Sequence, residues 1–286
     1  MLFCGACWAR VYILSLVLVI VETALNIGRN WGKAPIFLDL GLFAPQIYLS
    51  APDYILGKLS RAMRVLNLHL IPVTGLNRQD SYQAIVAFIT NADNHGVCIR
   101  LKKNEIKRPR FTKDLEDLLH ILEVAPPQTD LVFDYEIIDN SCPSFAELCD
   151  CLPNLTHWRT FSVISGAFPK DLIGFEPGQH LHSRLDWQTW FRQINSKQPI
   201  SRLPTYGDYT IQHPIFSEPP KRAHFSASIR YTSNKDWVIM RGEGVFKDNG
   251  PGFAQWPANA QLLCERNEFC RSDCNHRLKI EPKSPF

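Results

Sequence analysis

Short apolar segments recur in this sequence at intervals of roughly 30 residues, and stretches with helical spacing of apolar residues lie between them. Five such segments are PIFLDL at 35–40, LHLIPV at 68–73, GVCIRL at 96–101, DLVFDY at 130–135 and RTFSVI at 159–164. A strand followed by a helix, repeated at this interval, is typical of a parallel sheet with crossover helices. The sequence therefore predicts an α/β fold.

The number of strands indicates which α/β architecture to expect. Continuing from PIFLDL to a short strand at Tyr209–Gln212 gives six strands, and a hairpin follows, formed by SASIRYT at 226–232 and WVIMRG at 237–242. A chain of 286 residues is long enough for a (β/α) barrel, which typically needs ~250. A closed barrel needs about eight strands. We therefore expect a TIM-barrel-like sheet with parallel strands and crossover helices, incomplete at its N-terminal side.

The net charge and the cysteine content indicate which class of partner and which cell compartment to expect. A net charge of +3 argues against a nucleic acid partner. The nine cysteines are an odd number and unevenly spread, so they favour a reducing cytoplasm over a disulfide framework. Cys264, Cys270, Cys274 and His276 could supply zinc ligands, but their spacing matches no usual zinc motif, and we assign no metal and no cofactor.

One basic cluster follows the GVCIRL strand. It comprises Lys102, Lys103, Lys107, Arg108 and Arg110. The sequence leaves two interpretations open, a solvated loop after a strand or a phosphate-binding loop.

The N-terminus carries an apolar run, VYILSLVLVIV at 11–21. A membrane-spanning helix needs ~20 apolar residues, so this run is short. Three interpretations compete: a buried strand or helix of the α/β domain, an uncleaved signal or anchor, and a non-native segment from a displaced start. Residues 11–21 are the one segment through which we expect any membrane contact.

Polar residues at strand ends are the candidates for a functional site, because parallel α/β folds bind ligands at the carboxyl ends of their strands. Those residues are Asp39, Thr74, Arg100, Asp134, Ser165, Gln212, His213 and Arg230. We select as catalytic candidates Asp39, Arg100, Asp134, Gln212, His213 and Arg230. Asp134 or His213 would move a proton, while Arg100 and Arg230 would hold negative charge.

A structural role is the alternative interpretation of the same charged residues. Asp39 with Arg100, or Asp134 with Arg230, could be interior ion pairs of the barrel. The sequence contains no G-x-G-x-x-G after a strand, no Walker A sequence, no H-E-x-x-H and no G-x-S-x-G, so no motif names a reaction.

Several longer segments carry a family resemblance. They are NWGKAPIFLDLG at 30–41, LIPVTGLNR at 70–78, GVCIRL, WRTFSVISGAFPKDL at 158–172, RLDWQTW at 184–190, YGDYTIQHP at 206–214 and SASIRYTSNKDWVIMRG at 226–242. From about Asn30 to Phe269 the chain resembles the beta protein family, which is typified by the beta protein of T-even bacteriophage. The resemblance implies a cytosolic βα-repeat barrel of phages and bacteria with no settled activity.

The resemblance also suggests how the chain is organised. Family members usually have further N-terminal strands and a longer C-terminal stretch, and this chain departs from them at both ends. We expect an atypical hydrophobic segment at 1–29, a beta-protein-like domain at 30–270 and an atypical tail at 271–286.

The resulting hypotheses belong to different classes. The first is a binding protein linked to phage–host interplay, whose partner is a protein or a small anionic ligand. The alternative is a barrel hydrolase acting on a phosphorylated or nucleic-acid substrate. A non-functional gene remnant is the third.

Overall fold

The computed structural model describes residues 5–41, 52–139, 142–215, 225–246 and 250–271, and for 5–17 and 52–54 it describes only the backbone. The chain divides into two compact units. Unit 1 is Met1–Ser165 with Arg192–Gly207, and unit 2 is Gly166–Phe191 with Asp208–Phe286.

Strands alternate with helices through the first part of the chain. The elements in chain order are α1 (Gly5–Asn30), β1 (Ile36–Leu38), α2 (Pro52–Val65), β2 (Leu70–Thr74), α3 (Asp80–Asp93), β3 (Val97–Lys102), α4 (Phe111–Ile121), β4 (Thr129–Ile137), α5 (Phe145–Cys151) and β5 (Thr160–Gly166). Short 3₁₀ turns precede β4 and β5, at Pro126–Gln128 and Leu155–His157. The predicted strand–helix rhythm is therefore present from β1 to β5.

Six strands form one sheet, in the order β1-β2-β3-β4-β5-β7, where β7 is Thr205–Asp208. The strands are parallel, and the sheet is curled into half of a barrel flanked by helices. In the pairing of β3 with β4, Val97 lies opposite Thr129 and Lys102 opposite Asp134. The predicted α/β fold with an incomplete barrel is confirmed.

The last strand of this sheet lies earlier in the chain than the sequence indicated. The predicted strand at Tyr209–Gln212 is wrong, because β7 ends at Asp208 and the chain turns immediately after it. Thr210 has a φ of +57°, a left-handed conformation that ends an extended segment. Gln212 then donates its N–H to the carbonyl of Tyr209 at 3.1 Å, which closes the turn.

The apolar run at 11–21 lies within helix α1, so it supplies no strand to the sheet. In the part of α1 whose side chains are described, Ala24 is fully buried and Ile20 nearly so, whereas Leu18 is exposed. In the described part of the chain, the model has no helix with both the length and the apolarity needed to cross a bilayer.

Unit 2 contains a second sheet of three antiparallel strands, in the order β6-β9-β8. Its elements are β6 (Gly178–Ser183), α6 (Leu185–Ile194, which runs on into unit 1), β8 (Ile229–Thr232), β9 (Asp236–Arg241), a 3₁₀ turn (Gly252–Ala254) and α7 (Gln255–Cys264). The pairing of β8 with β9 confirms the predicted hairpin. Strand β6 was not predicted, since GQHLHS carries a single aliphatic side chain.

Candidate functional site

One face of the large sheet carries the candidate residues, and local contacts define that face. Thr74 donates its hydroxyl to Gln83 of α3 at 2.6 Å, so Thr74 faces the helix layer. Successive side chains of a strand point to opposite faces, and therefore Val73 faces away from α3. Val73 pairs with Cys98, and Cys98 with Asp130. We call the face opposite α3 the inner face.

The inner face is apolar in its middle and charged at both ends. Its centre is a cluster of Ile71, Val73, Cys98 and Val132, with Ile164 packed against it. At the amino ends of the strands, Asp130 accepts hydrogen bonds from Arg159 and Thr160. At the carboxyl ends lies a second set of charges. The middle of this face is therefore a packed apolar layer between two polar layers.

The charges at the carboxyl ends form what we call the rim network, which comprises Asp39, Arg78, Arg100 and Asp134. Arg100 Nη1 lies 2.6 Å from Asp39 Oδ2, and Arg100 Nε lies 2.9 Å from Asp134 Oδ2. Arg78 Nη2 lies 2.6 Å from the other oxygen of Asp39. Two carboxylates and two guanidinium groups thus form a connected and formally neutral chain of charges.

The members of the rim network differ in burial. The side chain of Asp134 is 0% exposed, whereas those of Asp39 and Arg100 are 18% and 22% exposed. A carboxylate without contact to water needs a cation and hydrogen-bond donors. Arg100 supplies the cation, and the backbone N–H of Glu136 donates to Asp134 Oδ1 at 2.8 Å.

Two glycines let the chain pass close to the rim network. A Cβ atom at Gly75 would lie 2.6 Å from the carbonyl oxygen of Arg100, and a Cβ atom at Gly41 would lie 2.5 Å from Nη2 of Arg78. Both distances are shorter than a tolerable contact. Glycine therefore allows a close approach to the backbone of Arg100 at position 75 and to the charged side chains of Arg78 and Asp39 at position 41.

A second layer of polar contacts supports the loops around the rim. Glu105 is 2% exposed, accepts the backbone N–H of Lys102 at 2.7 Å and also accepts the side-chain amide of Asn77. Arg108 donates to the oxygen of the same Asn77 amide at 2.5 Å. Burial raises the pKa of the Glu105 carboxyl, and the Lys102 hydrogen bond opposes that shift. Glu105 therefore joins the loops that follow β2 and β3.

The basic cluster after β3 is largely engaged by side chains of the protein itself. Lys102 Nζ lies 2.5 Å from Glu136, and Lys103 Nζ lies 2.9 Å from Asp139. With Arg108 bound to Asn77, three of the five cations have partners within the chain. The two lysines are thus paired with carboxylates, whereas Arg108 is held by a neutral amide, and both interpretations of this cluster stay predictions.

A protein-family model described as Beta protein matches residues 15–275, which include parts of both units. The chain belongs to the beta protein family. Neither the curated proteins nor the solved structures gave a match. The predicted family membership is confirmed, and the match extends beyond the predicted limits at both ends.

In this beta protein, three of the six catalytic candidates meet at the rim. Asp39 comes directly after β1. Arg100 lies two residues before the last residue of β3, and Asp134 lies three residues before the last residue of β4. These positions are the ones from which the strand-end rule selected them. The predicted pair of Asp39 with Arg100 is present. The other predicted pair has a different partner, because Asp134 binds Arg100.

The remaining three candidates, Gln212, His213 and Arg230, belong to unit 2. Arg230 Nη1 donates to the carbonyl of Ile211 at 3.1 Å, and this contact places Arg230 beside the turn that carries Gln212 and His213. His213 Nδ1 accepts the backbone N–H of Ile215 at 3.1 Å, which occupies that nitrogen within its own loop. Whether any of the six candidates is catalytic stays a prediction.

Two strand-end residues lie on the face opposite the rim. Thr74 contacts α3, and Ser165 follows Ile164, which packs on the inner face. The alternation of side chains therefore directs Ser165 to the other side of the sheet. Neither residue shares a surface with the rim network.

Sequence reasoning missed one member of the rim network, Arg78. This arginine lies in the loop four residues beyond Thr74, past the end of its strand. No pattern in the sequence marks it.

Among the residues that the structure describes, no group of three or more His, Cys, Asp or Glu side chains is placed to hold a metal ion. Of the sulfur and imidazole set considered from the sequence, Cys274 and His276 lie outside the described residues, as does 272–286 of the predicted tail.

Proposed function

We propose that this beta protein acts in phage–host interplay by binding a partner, and not by turning over a substrate. The observation that supports this proposal is the mutual pairing of Asp39, Arg100 and Asp134 in the rim network. A general base must be available to a substrate proton, and an arginine that holds a substrate anion must have donors to offer. In the rim network these groups serve one another.

The proposal includes a cytoplasmic location. Six cysteines of the described residues are free thiols, namely Cys98, Cys142, Cys149, Cys151, Cys264 and Cys270. Free thiols in this number are typical of proteins kept in a reducing compartment. The location is tested by fractionating cells that express the full chain, with recovery in the soluble cytoplasmic fraction as the expected result.

Binding is tested with the full chain as bait in extracts of phage-infected and uninfected bacteria. We expect a partner that is retained by the wild-type chain and that binds again when both proteins are purified. Lys113→Ala serves as a control bait, because it removes an exposed cation of α4 that pairs with the exposed Asp117. Failure to obtain any partner that rebinds after purification would count against the proposal.

The alternative function is a barrel hydrolase, and one observation favours it: the rim network lies at the carboxyl ends of parallel strands, where such folds carry their active sites. The purified chain is therefore screened for phosphatase and nuclease activity with and without divalent metal. We expect no turnover. Activity that disappears in Asp134→Ala and in Arg100→Ala, with the fold retained, would replace the binding proposal with the hydrolase.

A further inference from the structure

Two arginines lie on one face of the three-stranded sheet of unit 2. Arg230 of β8 pairs with Ile239 of β9, and antiparallel partners share a face. Arg241 lies two residues beyond Ile239 on the same strand, so it shares that face and is a diagonal neighbour of Arg230. We call Arg230 and Arg241 the arginine pair.

The contacts of the arginine pair are all with neutral groups. Arg230 donates to the carbonyl of Ile211 and lies over the ring of Phe168, with 5.0 Å between the guanidinium carbon and the ring centroid. Arg241 Nε donates to the carbonyl of Phe175 at 3.3 Å, and its Nη1 donates to the hydroxyl of Ser228 at 3.3 Å. Within the described ranges of the chain, neither guanidinium has a carboxylate within ion-pair distance.

Keeping two like charges together has a cost in free energy. Partial desolvation and the positive charge of Arg241 both lower the pKa of the Arg230 guanidinium. A guanidinium remains protonated throughout the physiological range, so the charges persist and repel each other. An anion between them would remove the repulsion and accept charge-assisted hydrogen bonds from both.

The surroundings leave room for a ligand. Arg230 is solvent-exposed. Gly178 of β6 pairs with Arg241, and a Cβ atom built on Gly178 would meet no atom within 4 Å. Ser228 and Ser226 stand side by side, with 2.8 Å between their hydroxyl oxygens, and Ser228 already contacts Arg241. Since one hydroxyl donates to the other, this pair has one further proton to offer to a ligand beside Arg241.

We propose that Arg230 and Arg241 bind a small oxyanion of the phosphate type, either free phosphate or the phosphate group of a small molecule. Guanidinium groups match the geometry of phosphate oxygens, because their planar forks can donate two parallel hydrogen bonds. This site shares no residue with the rim network. It deepens the proposed binding function by naming the chemistry of one ligand, and it rests on that function.

The test is calorimetric titration of the full chain with inorganic phosphate and, in a second arm, with phosphoserine, at constant ionic strength set by chloride. We expect saturable binding in at least one arm. Arg230→Gln and Arg241→Gln should each weaken it by about tenfold or more, the usual worth of a charge-assisted hydrogen bond. The arm with the higher affinity identifies the source of the phosphate group.

Arg266→Gln is the matched control, since it removes an arginine of unit 2 that is paired with Glu268. It should bind phosphate like the wild type. Arg230→Lys keeps the charge without the fork and should bind with intermediate affinity, and circular dichroism of every variant checks its fold. Absence of saturable binding, or equal binding by both glutamine variants and the wild type, would overturn the anion site. Neither result bears on a partner that rebinds in the bait experiment, so the two proposals fail separately.

Discussion

The rim network and the arginine pair use the same side chain in opposite ways. In the rim network, Arg78 and Arg100 each lie 2.6 Å from a carboxylate oxygen of Asp39. In the arginine pair, Arg230 and Arg241 contact carbonyls, a hydroxyl and an aromatic ring. A charge that is paired inside the protein is needed by its buried partner, whereas a charge without a counter-charge remains available to a ligand. The strand-end position alone does not distinguish the two cases.

The largest effect that would test this comparison is expected for Arg100→Ala. Asp134 is 0% exposed and would lose the guanidinium that pairs with its Oδ2. Removing one partner of a buried ion pair typically costs about 3–5 kcal/mol. Urea denaturation should show a loss in the free energy of unfolding of that size.

The control for that prediction is Lys113→Ala, which breaks the ion pair with Asp117 on α4. Both side chains are exposed, at 58% and 48%, so a loss of about 0–1 kcal/mol is expected. Equal losses in the two variants would mean that Arg100 does not support a buried charge.

A smaller but still clear effect is expected for Gly75→Ala. The new methyl group would lie 2.6 Å from the carbonyl oxygen of Arg100, and the backbone there must shift. Overpacking of this kind costs about 1–3 kcal/mol. Gly57→Ala in α2 meets no atom within 4 Å and should instead stabilise the helix by about 0.5–1 kcal/mol. Thermal unfolding should show a lower midpoint for Gly75→Ala and a higher midpoint for Gly57→Ala than for the wild type. A stabilised Gly75→Ala would contradict the described packing.

The pH dependence of the free energy of unfolding tests the burial of Glu105, which joins the loops that follow β2 and β3. Burial raises the pKa of this carboxyl above its ordinary value of 4.5. Between the unfolded and folded pKa values the folded chain holds more protons, so its stability falls as pH rises through that window. The cost is fully present above the folded pKa and absent below the unfolded one.

Comparison with Glu105→Gln isolates this dependence. The free energy of unfolding of the wild type minus that of the variant should decrease as pH is raised from roughly 4 to 7. Urea titrations at several pH values give the difference. A difference that increases with pH would show that the carboxylate is stabilised by its surroundings.

The smallest effect on stability is expected for Arg230→Gln. The arginine is exposed and has no carboxylate partner in the part of the chain that is described, so its removal leaves no buried charge behind. Its free energy of unfolding should lie within about 0.5 kcal/mol of the wild type. A loss as large as that of Arg100→Ala would mean that the arginine pair is also structural, and the contrast between the two regions would disappear.

The rim was predictable to the extent that it follows strand ends. Asp39, Arg100 and Asp134 were identified because parallel strands bring their carboxyl ends to one edge. Their pairing with one another was one of two open alternatives, since strand position does not determine which side chains touch. Arg78 escaped prediction because it reaches Asp39 from the loop after β2, past the end of its strand.

Unit 2 was less predictable, because its contacts join segments far apart in sequence. Strand β6 is recognisable only through its pairing with β9, in which Leu181 lies opposite Val238. His182 stacks on Trp237 in that pairing, and β6 offers no periodic apolar pattern of its own. The hairpin of β8 and β9 was found because its two strands are neighbours in sequence and are joined by a short polar turn.

A double-mutant cycle on Arg100 and Asp134 tests most directly whether the rim charges are engaged with each other. The free energies of unfolding of Arg100→Ala, Asp134→Ala and the double variant are measured by urea denaturation. Because the two groups contact each other in a buried setting, a coupling energy of about 2 kcal/mol or more is predicted, with the double variant losing less than the sum of the single losses. Additive losses, with a coupling below about 0.5 kcal/mol, would contradict the account.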